Sequence, residues 1–288
     1  VKELRLHAYA KINLTLDVLG ERADGYHDVE TILHTIALHD VLTLREVGEG
    51  VELAVHDGDV PADQRNLVWR AAQLVRDTFR VDRGVQIELI KRIPPAAGLG
   101  GGSADAAVTL LGLAQMWKLR VDGRTLSALA ARLGSDVPFF LQGGAALARG
   151  RGERLEPLPP LPTTWVVLGR PRIPVATEWA YRQLRPSSLT SRPDTSAMVG
   201  ALQREDVRQV GRLVRNVFED VVAPVYPVIR EIKSIILAGE AYGAALSGTG
   251  PTVYGLMANE AAARKVAADL LALPDVDVIV TRTFAEAR

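Results

Sequence analysis

One stretch constrains this chain more tightly than any other: PPAAGLGGGS, Pro94–Ser103, which runs directly into ADAA. Four glycines fall within positions 98 to 102, and the apolar residues that follow, Ala104, Ala107, Val108, Leu111 and Ala114, keep helical spacing. A helix start leaves its first backbone N–H groups unpaired and carries about half a positive charge. Glycines there let a loop fold tightly and let a bulky anion approach the backbone, so the stretch can cradle the phosphates of a nucleotide. Ser103 stands where its hydroxyl can cap the helix or turn to a phosphate or Mg²⁺. A plain turn between a strand and a helix explains the glycines equally well. Neither common nucleotide motif fits. Gly102 precedes Ser103 where a P-loop needs lysine, and Pro94 and Pro95 intervene where a dinucleotide-binding turn follows its strand directly.

Around this stretch the first third of the chain reads as strands. Ile12, Leu14, Leu16 and Val18 alternate with polar or smaller residues, as do Val51, Leu53 and Val55, and then Val85, Ile87 and Leu89. Asn66 opens a helical pattern through Leu67, Val68, Ala71, Ala72, Val75 and Phe79, and another helix is expected over 123–133. LEPLPPLPTT, Leu155–Thr164, holds four prolines and is the best domain boundary, which divides the chain into 1–158 and 159–288. Beyond it the pattern predicts a strand at 165–168 and helices at 178–184, 196–203 and 206–222. A helix at 229–237, strands at 243–247 and 253–257, a helix at 261–271 and a strand at 276–280 follow. That order is βαββαβ with extra helices in the first crossover, as in ferredoxin-like domains. Pro186–Pro193, PSSLTSRP, is expected to be a mobile loop.

Composition narrows the function. Lysine and arginine together number 34 and so do aspartate and glutamate, so no global basic field gathers nucleic acid or anionic lipid, and phosphate binding must be local. The absence of cysteine excludes disulfides, zinc–thiolate sites, iron–sulfur clusters and a cysteine nucleophile. No apolar run approaches ~20 residues, and VKELRLHAYAKINLTLDV alternates like a strand rather than a signal peptide, so a cytoplasmic protein with no membrane partner is expected. The histidines at 7, 27, 34, 39 and 56 show no metal spacing.

Three stretches, in order, resemble the GHMP kinases, the superfamily of the galactose, homoserine, mevalonate and phosphomevalonate kinases. KRIPPAAGLGGGSADAA, Lys91–Ala107, is similar to the family's phosphate loop, YAKINLTLDVLGERADGYHDVET, Tyr9–Thr31, to its first motif, and ALSGTGPTVYGL, Ala245–Leu256, to its third. The AKINL-x-L start with R-x-D-G-Y-H, and GSDVPFF at 134–140, are similar to the branch of that family whose acceptor is cytidine diphospho-methylerythritol. The resemblance implies an α+β, two-domain GHMP kinase fold. Its N-terminal ATP-binding domain would be ribosomal-protein-S5-domain-2-like and its C-terminal domain ferredoxin-like.

The resemblance also implies roles. Asp136 would be the general base, although an aspartate two residues before Pro138 suits a helix N-cap as well. Lys11 would stand beside it as a charge stabiliser, although a lone lysine in a strand is commonly an outward-facing residue. Asn13 shares a strand face with Lys11, so one site can use both, and the resemblance implies that it helps hold the cytidine end of the substrate; otherwise it is a polar edge residue. His27 would read the cytosine edge, with Tyr26 and Tyr181 closing the base between them and Thr177 a further contact. Base–aromatic stacking is worth about 1–3 kcal/mol per base. The plainer readings are a structural loop pair for Tyr26 and His27 and a helix core residue for Tyr181. For ATP the resemblance implies Asn66, Lys91, Pro94, Gly98, Leu99, Gly100, Gly101, Gly102, Ser103 and Gly248, with SGTGP otherwise a tight hairpin and Asn66 otherwise an N-cap. Mg²⁺ is expected to arrive with ATP, and the glutamate that other members add as a metal ligand has no match here. The expected partners are thus ATP and the cytidine diphospho substrate, in a monomer or homodimer. A kinase for another alcohol, a catalytically silent nucleotide-binding regulator and an RNA-binding domain are the alternatives, the last opposed by the neutral charge.

Overall fold

The computed structural model describes residues 3–189 and 191–285, the side chain of residue 188 excepted. Val1, Lys2 and Thr190, which belong to stretches read above as strand and loop, lie outside the described residues.

The N-terminal half supplies six strands of a seven-stranded sheet, whose seventh comes from the C-terminal half. Its spine is an antiparallel pair of long strands, β1 (Glu3–Glu21) and β2 (His27–Val47). β3 (Val51–His56), α1 (Leu67–Phe79) and β4 (Gly84–Ile90) form a βαβ unit, with β3 and β4 parallel and β4 antiparallel to β2. The glycine stretch leaves β4 and enters α2 (Gly101–Met116), followed by α3 (Gly123–Leu133) and α4 (Val137–Gln142). The hairpin β5 (Ala145–Gly150) and β6 (Arg154–Leu158) then closes the far side of β2. β6 is an edge strand, which is why it tolerates Pro157.

The C-terminal half begins with β7 (Trp165–Pro171). α5 (Thr177–Gln183), α6 (Thr195–Gln203), α7 (Val207–Leu213), the short β8 (Arg215–Asn216), α8 (Glu219–Val225) and α9 (Val228–Ala238) follow. β9 (Ala241–Leu246), β10 (Val253–Met257), α10 (Glu260–Leu271) and β11 (Val276–Arg282) complete it. Its sheet has the order β11–β7–β10–β9, all antiparallel, which is the expected ferredoxin-like arrangement.

One expectation needs correction. The continuous helix over 206–222 is broken by β8, which pairs parallel with β1 at Thr15 and Leu16. The buried Asn216 explains the break: its Nδ2 donates to the carbonyls of Leu246 and Gly248, and its Oδ1 accepts from the Phe218 amide. A residue committed to three backbone partners cannot also sit on a regular helix face. Within 186–193, the stretch expected to be a mobile loop, Arg192 donates to Asp17 and to the carbonyls of Val18 and Pro186.

Strand β1 departs from a half-buried strand for a related reason. Residues 10–18 are buried on both faces, with Ile12 and Leu14 packed among Val166, Leu168 and Tyr254 of the C-terminal half while the polar Lys11, Asn13, Thr15 and Asp17 are buried as well. Burial on both faces also makes β2 read as an apolar run rather than a clean alternation.

His34 fastens the proline-rich connection to this spine. It is fully buried, with Nδ1 on the Thr35 carbonyl at 2.8 Å and Nε2 accepting from the Leu161 amide at 2.9 Å. This pattern requires the neutral ring, and burial pushes its pKa down from 6.5 to about 4. The unfolded chain therefore binds the proton more readily, and stability should fall as pH drops from about 6.5 to about 4 by about 3 kcal/mol for this one group. Urea unfolding of the wild type and of His34→Gln across that window should show a slope that the variant largely lacks.

Candidate active site

The phosphate-loop segment is built by close approach. Gly98 and Gly100 have φ of 76° and 71°, conformations that favour glycine. A Cβ on Gly98 would lie 2.0 Å from the Ser247 carbonyl oxygen, and one on Gly100 would lie 2.6 Å from the Phe140 ring. These two glycines are thus demanded by packing, the first against the β9–β10 hairpin of the other half. Ser247 Oγ returns a hydrogen bond to the Gly98 carbonyl at 2.9 Å. Gly100 is the N-cap of α2 and supplies no side-chain cap, and the first α-helical bond of that end is Ala104 N to Gly100 O at 2.9 Å. The amides of Gly101, Gly102 and Ser103 thus begin the helix as potential anion donors.

A cavity of about 340 Å³ opens on this helix start. Asn66, Leu67, Lys91, Pro94, Gly98, Gly100, Gly101, Gly102 and Ser103 line it, with Val60, Pro61 and Ala97 among its apolar walls. Apolar walls at one end and a helix N-terminus at the other suit a nucleoside and its phosphates, so the residues present fit ATP. Asn66 keeps its capping role, accepting from the Val68 amide at 2.9 Å while donating to the Pro61 carbonyl. Lys91 is buried beneath the cavity and donates to Asp40 and to Asp105, at 2.8 Å for the latter. Asp40 also accepts from the amides of Arg92 and Ile93, so the three side chains lock the loop's first residues to β2 and α2. Burial raises the Asp105 carboxyl to about 8 against the opposing pull of Lys91. Leu99 faces the core rather than the cavity, and its carbonyl accepts from the Lys11 amide at 3.0 Å.

A second cavity, about 580 Å³, adjoins the first through Gly98 and Gly100. Lys11, Asn13, Tyr26, His27, Asp136, Thr177, Tyr181 and Gly248 all line it. Lys11 does not face outward: it is 3% exposed, with Nζ 2.6 Å from Asn13 Oδ1 and 3.9 Å from Asp136 Oδ2. Burial lowers its pKa, and the Asp136 charge opposes that. Asn13 is no edge residue, since β1 lies between β2 and β8. Asp136 holds the N-cap position of α4, yet its side chain makes no capping bond. Its carboxylate, about two-fifths exposed, instead faces Lys11 and the cavity.

At the far end the His27 and Tyr181 rings stand 4.9 Å apart at 40°, and Tyr181 packs edge-on against Phe218 at 4.8 Å. Burial, with the Asp136 charge second, raises the Tyr181 phenol above its ordinary pKa. Thr177 opens α5 and meets Thr249 at 3.2 Å, oxygen to oxygen. Tyr26 is half exposed, with the Arg151 guanidinium over its face.

Family models described as the GHMP kinases N terminal domain and the GHMP kinases C terminal match residues 66–144 and 198–274. A 4-diphosphocytidyl-2-C-methyl-D-erythritol kinase of Pelotomaculum thermopropionicum is 48% identical over 278 residues, 96% of each chain. This chain belongs to the 4-diphosphocytidyl-2-C-methyl-D-erythritol kinase family of the GHMP kinases. A second member of that kinase family, from Alkaliphilus metalliredigens, is 44% identical over 90% of this chain and 89% of its own. A crystal structure of 4-(cytidine 5'-diphospho)-2C-methyl-D-erythritol kinase superposes with a TM-score of 0.85 at 36% identity, covering 98% and 100% of the two chains. Homoserine kinase from Cytophaga hutchinsonii, with a TM-score of 0.78 at 20% identity over 99% and 95%, shares the fold.

Sequence reasoning missed Thr31, Arg151, Gly152, Phe218 and Thr249 on the cavity wall, and Asn216 behind it. Of these only Arg151, in the glycine-flanked run RGRGER, carried a local signal. The packing argument for Gly98 predicts that Gly98→Ala is destabilised by at least ~2 kcal/mol, from the left-handed φ and the clash with Ser247 together. Urea denaturation monitored by tryptophan fluorescence would measure it.

Proposed function

We propose that the protein transfers the γ-phosphoryl group of ATP to the 2-hydroxyl of 4-diphosphocytidyl-2-C-methyl-D-erythritol, a step of the non-mevalonate isoprenoid pathway. The observation that carries this reading is the meeting of the two cavities at Gly98 and Gly100, with Lys11 and Asp136 beside the junction in the larger one. Donor phosphates on the start of α2 and an acceptor hydroxyl near Asp136 would face each other across that junction.

In this reading Asp136 accepts the hydroxyl proton as the new O–P bond forms, and the bond between the γ-phosphorus and the bridging oxygen breaks to release ADP. The Lys11 ammonium offsets charge on the phosphoryl oxygens and favours the ionised Asp136. Asn13 holds Lys11 in place. The helix start at Gly100 to Ser103 takes the phosphates, and Asn66, Lys91 and Pro94 border the nucleoside. Tyr26, His27, Thr177 and Tyr181 form the cytidine end. Residues 1–158 then serve as the ATP-binding half and 159–288 as the half that completes the acceptor site. Among the described residues no group of three or more His, Cys, Asp or Glu could hold a metal ion. Mg²⁺ would come with ATP, largely ligated by phosphate and water, and would neutralise charge on the transferred group. A cytoplasmic location, with ATP and a soluble diphosphate ester as partners, belongs to the same reading.

The test is an ADP-release assay with ATP and Mg²⁺ on the cytidine substrate, homoserine and mevalonate in parallel. Turnover on the cytidine substrate alone is expected; turnover only on another alcohol would discard the cytidine pocket. Asp136→Asn should fold normally, judged by thermal unfolding, and lose kcat by about two to four orders of magnitude. Near-normal turnover in that variant would remove Asp136 from the mechanism.

A further inference from the structure

The reading above assigns the acceptor's base and its reacting hydroxyl but leaves its diphosphate without a partner. The diphosphate lies between those two ends in the substrate's own covalent structure, so its binder must lie between the cytidine end of the cavity and Asp136.

Arg151 spans that interval. It sits in the turn joining β5 to β6, between Gly150 and Gly152, whose φ angles are 73° and 110°. The turn is pinned by the Arg151 amide donating to Glu153 at 2.7 Å. At its root, a Cβ on neighbouring Gly152 would be 3.9 Å from Asp136 Oδ1. At its head, the guanidinium carbon lies 3.8 Å from the centroid of the Tyr26 ring. Arg151, Tyr26 and Asp136 line the same cavity. Its charge also acts on Asp24, an exposed carboxylate already held by Arg22 and the Tyr26 amide.

We infer that Arg151 is the diphosphate-recognising residue of the acceptor site, with its guanidinium stacked on Tyr26 until the base takes that ring face and then paired with the diphosphate. The inference rests on the proposed function. A guanidinium stacked on an aromatic ring holds its place weakly when half exposed, whereas its planar fork matches phosphate oxygens with two parallel hydrogen bonds. Base and arginine compete for one ring face, so the exchange links base binding to charge recognition. It also favours an acceptor carrying both parts over one carrying either alone.

Competition and pairing predict opposite effects on two ligands. In Arg151→Ala, the KM for the cytidine diphosphate substrate should rise about tenfold or more, with Arg151→Lys intermediate. The Kd for cytidine, which has no phosphate, should be unchanged or tighter in Arg151→Ala, measured by calorimetry on protein shown folded by thermal unfolding. Equal weakening of both ligands would make Arg151 a structural support for Tyr26 and overturn the inference, as would no change in either. A wild type that neither binds cytidine nor turns over the substrate would fail at the earlier step, marking the function itself as misread.

Discussion

A polar strand face taken out of water governs this structure. Lys11, Asn13, Thr15 and Asp17 on β1 would each be costly to bury unpaired, and the fold pairs each of them. Asn13 is the centre. Its Oδ1 accepts from the Lys11 ammonium and from the Gly248 amide, while its Nδ2 donates to Thr31, which donates to the Thr15 carbonyl. Its own carbonyl accepts from the Tyr254 hydroxyl at 2.8 Å. Three of these partners belong to the N-terminal half and two to the C-terminal half, so the network that satisfies the strand also docks the halves. Lys11 then faces Asp136, an N-cap aspartate whose side chain makes no capping bond.

The glycine-rich loop inherits its rigidity from that docking. Gly98 lies against Ser247, Gly100 against Phe140, and the loop's first residues are held by Asp40 and Lys91. A loop fixed on three sides presents its helix amides without reorganising, which is what makes fixed dipoles effective on a transferring phosphoryl group. Glycine therefore serves two ends at once. It relieves backbone contact inside the protein, and it leaves the ligand side of the helix start bare.

Much of this was legible in the residues, for identifiable reasons. Lys11 and Asn13 share a face because strand side chains alternate, and the sequence pattern alone placed them together. The glycines announced a helix start, and the βαββαβ order gave the second sheet. The break at Asn216 was hidden because its cause is a hydrogen-bonding demand from Leu246 and Gly248, thirty or more residues away. The hairpin β5–β6 was hidden because Leu155 and Pro157 read as linker while their strand pairs only at an edge. Lys91 looked like a nucleotide contact from its place before the loop. That its charge is shared by Asp40 and Asp105 depends on β2 arriving beside it.

The same separation explains how one scaffold can serve several alcohols. Homoserine kinase from Cytophaga hutchinsonii shares this fold at 20% identity, so the fold by itself does not fix the acceptor. The residues proposed to choose it sit on the turn around Tyr26 and His27, on the turn around Arg151 and on the short helix α5, all lining the larger cavity. Turns and a short helix can change length and side chains without disturbing the buried network of β1. In the proposed function, transfer chemistry is thus anchored on the buried network of β1, and acceptor recognition hangs on the turns and the short helix that can vary.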